Sequence, residues 1–328
     1  MSRKKQRCSS ILEWLHHDVV EHILERLDVD SLMRFKGVSK QWKTTIESLY
    51  FQRRQLTHRQ QCNPDVLMVS LFPEEDDDDD DDIYYPETDN TRFFVSYNSC
   101  DGLVCLYNYR KPGFVVNPTT RWSYSYDLLY VVPSLGFGKD KITGTYKPVW
   151  LYNSSEIGLD NGTTCEVFDF STNAWRSVSP AAPYRIVAYP EPVCVDGSLH
   201  WFTECEETEI LSLDLYTEAF QVICKAPFVA NANEFDIVMC DLDNRLCVSE
   251  RKWPNQVIWS FNSANKKWHK MFSIDLATSS SQWFGTQLCA LLPLALFDGK
   301  KKLLFYCPST SAIICKGKSR PLLEPDGL

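Results

Sequence analysis

Nowhere in the chain is there a Cys-x-x-Cys pair, a His-x-x-x-His pair or a Gly-x-Ser-x-Gly turn. The first two absences remove the common ligand spacings of zinc, and the third removes the nucleophile elbow of the hydrolases. Gly136-Phe-Gly-Lys139 lacks the further glycines and the closing Lys-Ser/Thr of a phosphate loop. No apolar run is long enough to cross a bilayer, since the longest, Leu288 to Phe297, is broken by Pro293. Positive charge is also short, with Lys and Arg at 34 against 43 Asp and Glu and a net charge of -9. That balance argues against a nucleic-acid surface. No catalytic group, metal or cofactor is therefore expected, and neither a nucleic acid nor a membrane as partner.

The 13 cysteines form an odd, scattered set. They read as buried thiols in a reducing compartment rather than as a disulfide framework, which belongs to short secreted chains. The chain opens on Ser2-Arg-Lys-Lys-Gln-Arg7 and turns directly amphipathic, without the pattern of a signal peptide. This basic tail, over 1–10, reads equally as a nuclear address or as a solvated end. A soluble protein of the cytoplasm, the nucleus or both is expected. Asn153-Ser-Ser and Asn161-Gly-Thr then count as chance matches to the glycosylation triplet. His16 and His17 are expected to be exposed at a helix entry, and His200, beside Trp201, to be buried and hydrogen-bonded.

What the chain does have begins with three short helical patterns over 11–55. The first runs from Asp18 to Leu27 and sets Leu15, Val19, Val20, Ile23, Leu24 and Leu27 on one face. Asp18 and Glu21 have the spacing of a capping-box-like pair. Asp28-Val-Asp30 breaks the pattern, and Asp30 is placed to cap a second helix over Ser31 to Lys36. A third starts near Val38-Ser39 and carries Trp42, Ile46 and Leu49 on one side. A unit this small cannot bury its apolar stripe alone, so it needs the body of its own chain or a partner's groove.

The run Leu15 to Leu27, then Asp30-Ser-Leu-Met-Arg-Phe35, Val38-Ser-Lys-Gln-Trp42 and Phe51, resembles an F-box over the whole motif. Where that family usually has Leu-Pro at the first helix entry and again after it, this chain has Leu15-His16 and Leu27-Asp28. The lost prolines raise the entropy of the unfolded chain, but every apolar anchor is kept.

A polar connector over 56–65 and a strand-like run from Val66 to Phe72 follow. Glu74 to Asp82 is an unbroken acidic run, read as a solvated loop. From Arg92 onward short apolar or alternating runs are separated by turn signals, the pattern of an all-β domain over 66–328. Asp101-Gly102, Asp196-Gly197, Asp243-Asn244 and Asp298-Gly299 each precede an apolar run, as tight hairpins with positive φ require. A Thr or Asn stands three residues before an aromatic in Thr119 to Trp122, Thr172 to Trp175, Thr217 to Phe220 and Asn265 to Trp268. The Thr or Asn suits a turn, and the aromatic a wedge between sheets. This spacing is that of a kelch-type propeller of five or six blades, with a β-sandwich as the alternative.

Ser99-Cys-Asp-Gly-Leu-Val-Cys-Leu106, Val116-Asn-Pro-Thr-Thr-Arg121, Leu135-Gly-Phe-Gly-Lys-Asp140, Val167-Phe-Asp-Phe with Trp175-Arg176, Val195 to Trp201 and Ile210 to Phe220 resemble the plant F-box-associated domain in order and spacing. Pro148 departs from that pattern and is expected to mark an edge strand or a bulge. The two resemblances together imply a non-catalytic substrate-recognition subunit of a Skp–cullin–F-box ubiquitin ligase. Its F-box would dock a Skp-type adaptor, and through it cullin and RING subunits, by Leu15, Val20, Ile23, Leu24, Leu27, Leu32, Val38 and Trp42. Some of these would serve internal helix packing instead. The β domain would hold an unknown protein substrate, and tethering would quicken ubiquitin transfer by proximity. A structural or regulatory partner of the adaptor outside a ligase, and a glycan-binding β domain, are the alternatives. Arg110 to Gly113, Tyr184-Arg185 and Arg251 to Trp253 are loop positions within reach of a ligand, but ordinary surface accounts for each and no substrate-binding residue is assigned.

Overall fold

The computed structural model describes residues 16–60, 94–95, 100–107, 113–117, 122–126, 135–157, 162–182, 184–187, 190–228, 233–277, 289–297, 302–306 and 313–315. Leu15, the tail 1–10, the acidic run 74–82 and the Asp298-Gly299 turn lie outside them. The helices belong to one compact unit, and sheets two to five, defined below, to another.

Among the described residues four helices come first, where three are expected: α1 His17–Leu24, α2 Val29–Phe35, α3 Lys40–Glu47 and α4 Leu49–Gln60. Asp18 does not cap α1. The N-cap is His16, without a side-chain cap bond, and Asp18 lies inside the first turn, where its charge suits the helix dipole. Asp28 rather than Asp30 caps α2, its carboxylate accepting from the Ser31 amide at 2.7 Å. The chain turns at once after α1, so the earlier aspartate already has the extended backbone that a cap needs. Ser39 caps α3, at the start expected near Val38-Ser39, with Oγ accepting from the Trp42 amide at 3.1 Å. Helix α4 continues through 56–60, so the connector expected over 56–65 is helical in its first half. Leu56-Thr-His-Arg-Gln60 is polar but holds no Gly or Pro to stop a helix that Ser48 starts, its Oγ accepting from the Phe51 amide at 3.2 Å. Val20, Leu24, Leu32, Ile46 and Phe51 form the small core of this unit, with Leu27, Phe35 and Trp42 packed against it.

The other described elements are strands, apart from two short 3-10 helices, Ser154–Ile157 and Glu234–Asp236. Sheet one holds β1 Phe94–Val95, β2 Val104–Tyr107, β3 Gly113–Asn117 and β4 Trp122–Tyr126. Sheet two holds β5 Leu135–Lys139, β6 Tyr146–Asn153, β7 Thr163–Asp169 and β8 Ala174–Ser177. Sheet three holds β9 Val193–Val195, β10 Ser198–Phe202, β11 Glu209–Asp214 and β12 Phe220–Lys225. Sheet four holds β13 Ile237–Asp241, β14 Leu246–Lys252, β15 Asn255–Asn262 and β16 Lys267–Asp275. Sheet five holds β17 Leu292–Phe297, β18 Lys302–Tyr306 and β19 Ile313–Cys315. In every sheet the strands follow in chain order. Five separate meanders are the plan of a propeller-like domain, and the two-sheet alternative falls.

The turns explain the repeat. Both residues of Asp101-Gly102, Asp196-Gly197 and Asp243-Asn244 have positive φ, at 52° and 78°, 50° and 79°, and 56° and 55°. These are the two-residue hairpins whose twist matches that of the flanking strands. The second motif marks the turn before each outermost strand of sheets two to four. There Asn173, Glu218 and Lys266, each one residue after the Thr or Asn, are left-handed at φ 52°, 57° and 53°. The turn is held by a residue three positions earlier still. Asp169 accepts from the Ser171 amide at 2.8 Å, Asp214 from the Thr217 amide at 2.7 Å, and Asn262 from the Ala264 amide at 3.0 Å. The aromatic then reaches the preceding sheet: Trp175 meets Tyr126 at 6.1 Å between ring centroids, and Trp268 Nε1 donates to the Lys225 carbonyl at 2.7 Å.

Buried clusters fill the space between each pair of successive sheets. Alternate residues of one strand serve opposite neighbours. In β10, Leu199 and Trp201 pack with sheet two, while Phe202 packs with sheet four. Burial on both faces is why these strands read as unbroken apolar runs. Gly136 and Gly138 belong to this packing rather than to any ligand. A Cβ on Gly138 would stand 2.5 Å from Cys194 Sγ and 2.7 Å from Leu215 Cδ1. Pro148 makes no bulge: β6 is an inner strand, and Pro148 pairs in register with Phe137. It is tolerated because the pairing of β6 with β7 begins only at Val149, so its missing amide faces no ladder.

Candidate functional site

The helical unit keeps an apolar stripe on its surface. Val20, Leu24 and Leu32, all expected as contact residues, are buried in its own core, and Leu27 and Trp42 are half-buried against it. Ile23 and Val38 are instead 49% and 48% exposed. Three large apolar residues outside that set, Val19, Met33 and Tyr50, are exposed as well. Val19 and Ile23 lie one turn apart on α1, so the stripe read from the sequence is two rows, one turned inward and one outward. The signal for the outward row was present in the spacing, but a stripe wider than its core cannot be divided without the packing.

Polar contacts hold the rows in place. The Arg54 guanidinium on α4 reaches both Glu25 carboxylate oxygens, at 2.8 and 3.0 Å, just after α1. His17 differs from its expected exposed place. Its ring is half-buried and bridges α1 to α3, with Nδ1 at 3.1 Å from Gln41 Nε2 and Nε2 at 3.2 Å from Thr45 Oγ1. His16 is exposed, with Asp18 at 3.5 Å.

In the β domain, charged groups meet around the first hairpin, and Lys147 and Arg176 meet on Glu218. The Asp101 carboxylate, in the first hairpin, accepts from Lys139 Nζ at the end of β5 and from the Tyr146 hydroxyl at 2.9 Å. Burial and the neighbouring Asp101 push the Tyr146 hydroxyl well above its usual range, so it is a donor and not a base. Burial raises Asp241, at the end of β13, to about 6. His200 is buried, and burial lowers it to about 4 against a hydrogen bond with the Val195 backbone. Its Nδ1 has no hydrogen-bond partner. Cys100, Cys105, Cys165, Cys194, Cys205, Cys224, Cys240, Cys247 and Cys289 are free thiols, and burial pushes Cys105, Cys165 and Cys247 up to about 12. A thiol raised in this way is not an activated nucleophile. Among the described residues no group of three His, Cys, Asp or Glu side chains is arranged to hold a metal ion, and no helix is long and apolar enough to cross a membrane.

Comparison with known proteins follows the same division. Residues 12–54 match the F-box domain, and residues 60–317 match the F-box associated beta propeller domain. An F-box/LRR-repeat/kelch-repeat protein of Arabidopsis thaliana is 63% identical, over 93% of this chain and 89% of its own length. A further F-box protein of the same plant is 49% identical, over 90% of each chain.

Proposed function

Because this chain belongs to the F-box proteins that carry an F-box-associated β-propeller domain, we propose that it is the substrate receptor of a Skp–cullin–F-box ubiquitin ligase. Proteins of this build are generally substrate adaptors of such ligases and typically non-catalytic. Here the helical unit docks a Skp-type adaptor, which brings cullin and RING subunits, and the propeller holds a protein substrate. The observation that carries the reading is the outward row of the helical unit. Ile23 and Val38, with Val19 and Met33, leave apolar surface uncovered on a unit too small to waste it. Capture next to a ubiquitin-charged enzyme raises the local concentration of substrate lysines, so no catalytic group of this chain is needed. The place of action is the cytoplasm or nucleus, where such ligases meet their substrates.

The test is binding of the purified chain to a Skp-type adaptor. Ile23→Asp and Val38→Asp change exposed residues and leave the helical core intact, so circular dichroism should be unchanged while affinity falls about tenfold or more, the cost of a buried charge at an interface. Leu27→Asp and Trp42→Ala should also lose binding, but with loss of helix packing. Wild-type chain that fails to bind the adaptor, or that binds without recruiting cullin, sinks the ligase reading.

A further inference from the structure

Tyr184, Phe235 and Trp253 are exposed aromatics of sheets three and four, at 40%, 42% and 57%. Tyr184 lies on the connection into sheet three, Phe235 in the short 3-10 helix Glu234–Asp236 leading into sheet four, and Trp253 between β14 and β15. Strand direction puts all three at one end. Gly136 faces Pro192 while Gly138 faces Cys194, so β5 and β9 run the same way. Asp241, at the end of β13, acts electrostatically on Cys100 and Cys194, as Lys139 at the end of β5 acts on Cys100, so β13 runs with them. In a meander of four strands, the connection into a sheet and the turn between its second and third strands then share an end. At the opposite end stand the Asp-Gly hairpins, Tyr216, and the exposed lysines Lys266 and Lys267.

The aromatic loops are already fixed. Arg185, next to Tyr184, donates from Nε to Glu204 and from Nη1 to Ser155 Oγ, both at 2.8 Å. Arg251 donates to the Asp236 carboxylate at 2.7 Å, and the Phe235 carbonyl accepts from the Ala290 amide at 2.7 Å. Loops held in this way lose little entropy on binding. The charge around them is one-sided. Among the described residues at this end of sheets two to four, Arg185, Lys225, Arg251 and Lys252 are each paired with a carboxylate, of Glu204, Glu207, Asp236 and Glu250. Glu206 and Glu234 remain in excess.

We infer that this end of the propeller docks a Lys/Arg-rich segment of a protein partner, whose cations meet Glu206 and Glu234 and stack on Trp253 and Tyr184. Aromatic faces attract cations and are enriched at protein interfaces. Cations that neutralise an acidic rim also steer the encounter. The inference names the class of substrate and rests on the receptor reading above.

The experiment uses the full chain and a short fluorescent peptide of Lys, Arg and Leu, beside a counterpart in which Glu replaces every cation. The basic peptide should bind and the acidic one should not. Trp253→Ala, and Glu206→Lys with Glu234→Lys, should each weaken binding about tenfold, and added salt should weaken it further. Tyr216→Ala at the other end should leave it unchanged, as should replacing the acidic run 74–82 by Ser. Absence of binding, equal binding of the acidic peptide, or loss on changing Tyr216 or the acidic run but not Trp253 overturns the inference. Adaptor binding measured on the same preparations separates the two readings. If it is kept without peptide binding, only the docking surface falls. If it is lost with peptide binding kept, only the ligase reading falls.

Discussion

Among the described residues of the helical unit, five buried apolar side chains share the fold with five exposed large apolar ones: Val20, Leu24, Leu32, Ile46 and Phe51 inside, Val19, Ile23, Met33, Val38 and Tyr50 outside. In sheets two to four the inner strands are largely buried, while the outermost, β8, β12 and β16, are largely exposed but mostly polar outward. The exposed large apolar residues there lie almost wholly in turns and connections, as with Ile142, Tyr184, Tyr216, Phe235 and Trp253. The sheets close their apolar surface upon each other, each one serving two neighbours. The helices leave Val19, Ile23, Met33, Val38 and Tyr50 open. The difference teaches where a partner is needed for stability and where one is needed only for recognition. A partner that covers α1 supplies burial the helices lack, whereas a ligand of the propeller meets a scaffold that is complete without it.

The largest effects should break this contrast at its two cores. Leu24→Ala removes a fully buried side chain from a core of few members and should cost about 2–5 kcal/mol. That is a large share of the stability available to a small unit. Amide exchange over 16–60 should rise sharply while β9 to β16 stay protected. Trp201→Ala should cost about 3–5 kcal/mol and loosen sheets two and three together, since Trp201 packs between them. If Leu24→Ala loosens the sheets as much as the helices, the two units unfold as one and the contrast is wrong.

How far each region was legible in the sequence follows the same line. Asp196-Gly197 and Asp243-Asn244 announced their hairpins because positive φ is a local demand that few residues meet. The stripe of α1 was equally visible, but its division into Val20 and Leu24 inside and Val19 and Ile23 outside was not, because that depends on where α2, α3 and α4 lie. The choice of Asp28 over Asp30 turned on the sharpness of the bend after α1, which a cap pattern does not contain. Helix α4 was hidden because its apolar residues follow no helical period. In the sheets, the Asx residues Asp169, Asp214 and Asn262 escaped notice behind the more conspicuous Thr and aromatic of the same turns. The aromatics of the docking end were visible as residues, but only the shared strand direction brings Tyr184, Phe235 and Trp253 together.

An intermediate effect should come from pH, through a group held only by the sheets. His200 falls from 6.5 to about 4 on burial. The unfolded chain therefore takes the proton first as pH drops, and stability present above about pH 6.5 is lost on the way down to about 4, amounting to about 2 kcal/mol by pH 5. Asp241 acts in the opposite sense, because its folded carboxyl, raised to about 6, takes a proton before the unfolded one. The wild-type profile therefore mixes the two. The difference between wild type and His200→Gln isolates the histidine: urea midpoints should diverge in slope between pH 7 and pH 5, with the variant losing less. Parallel profiles would mean that His200 is protonated in both states or neither.

The smallest effect separates two turns of the same design. Lys266 and Asn173 hold equivalent left-handed positions, at φ 53° and 52°. A lysine there carries a steric cost of about 1–2 kcal/mol, and glycine relieves it while adding about 0.5–1 kcal/mol of unfolded-chain entropy. Lys266→Gly should therefore stabilise sheet four by less than about 1 kcal/mol, seen as a small rise in melting temperature. Asn173→Gly should go the other way. Asparagine already tolerates this conformation, and its Oδ1 accepts from the Tyr124 hydroxyl of sheet one at 2.9 Å, so the substitution gives up an inter-sheet bond for little relief. Equal signs for the two would show that these turns are governed by local backbone strain alone, and that the bond from Tyr124 adds nothing to the joining of one sheet to the next.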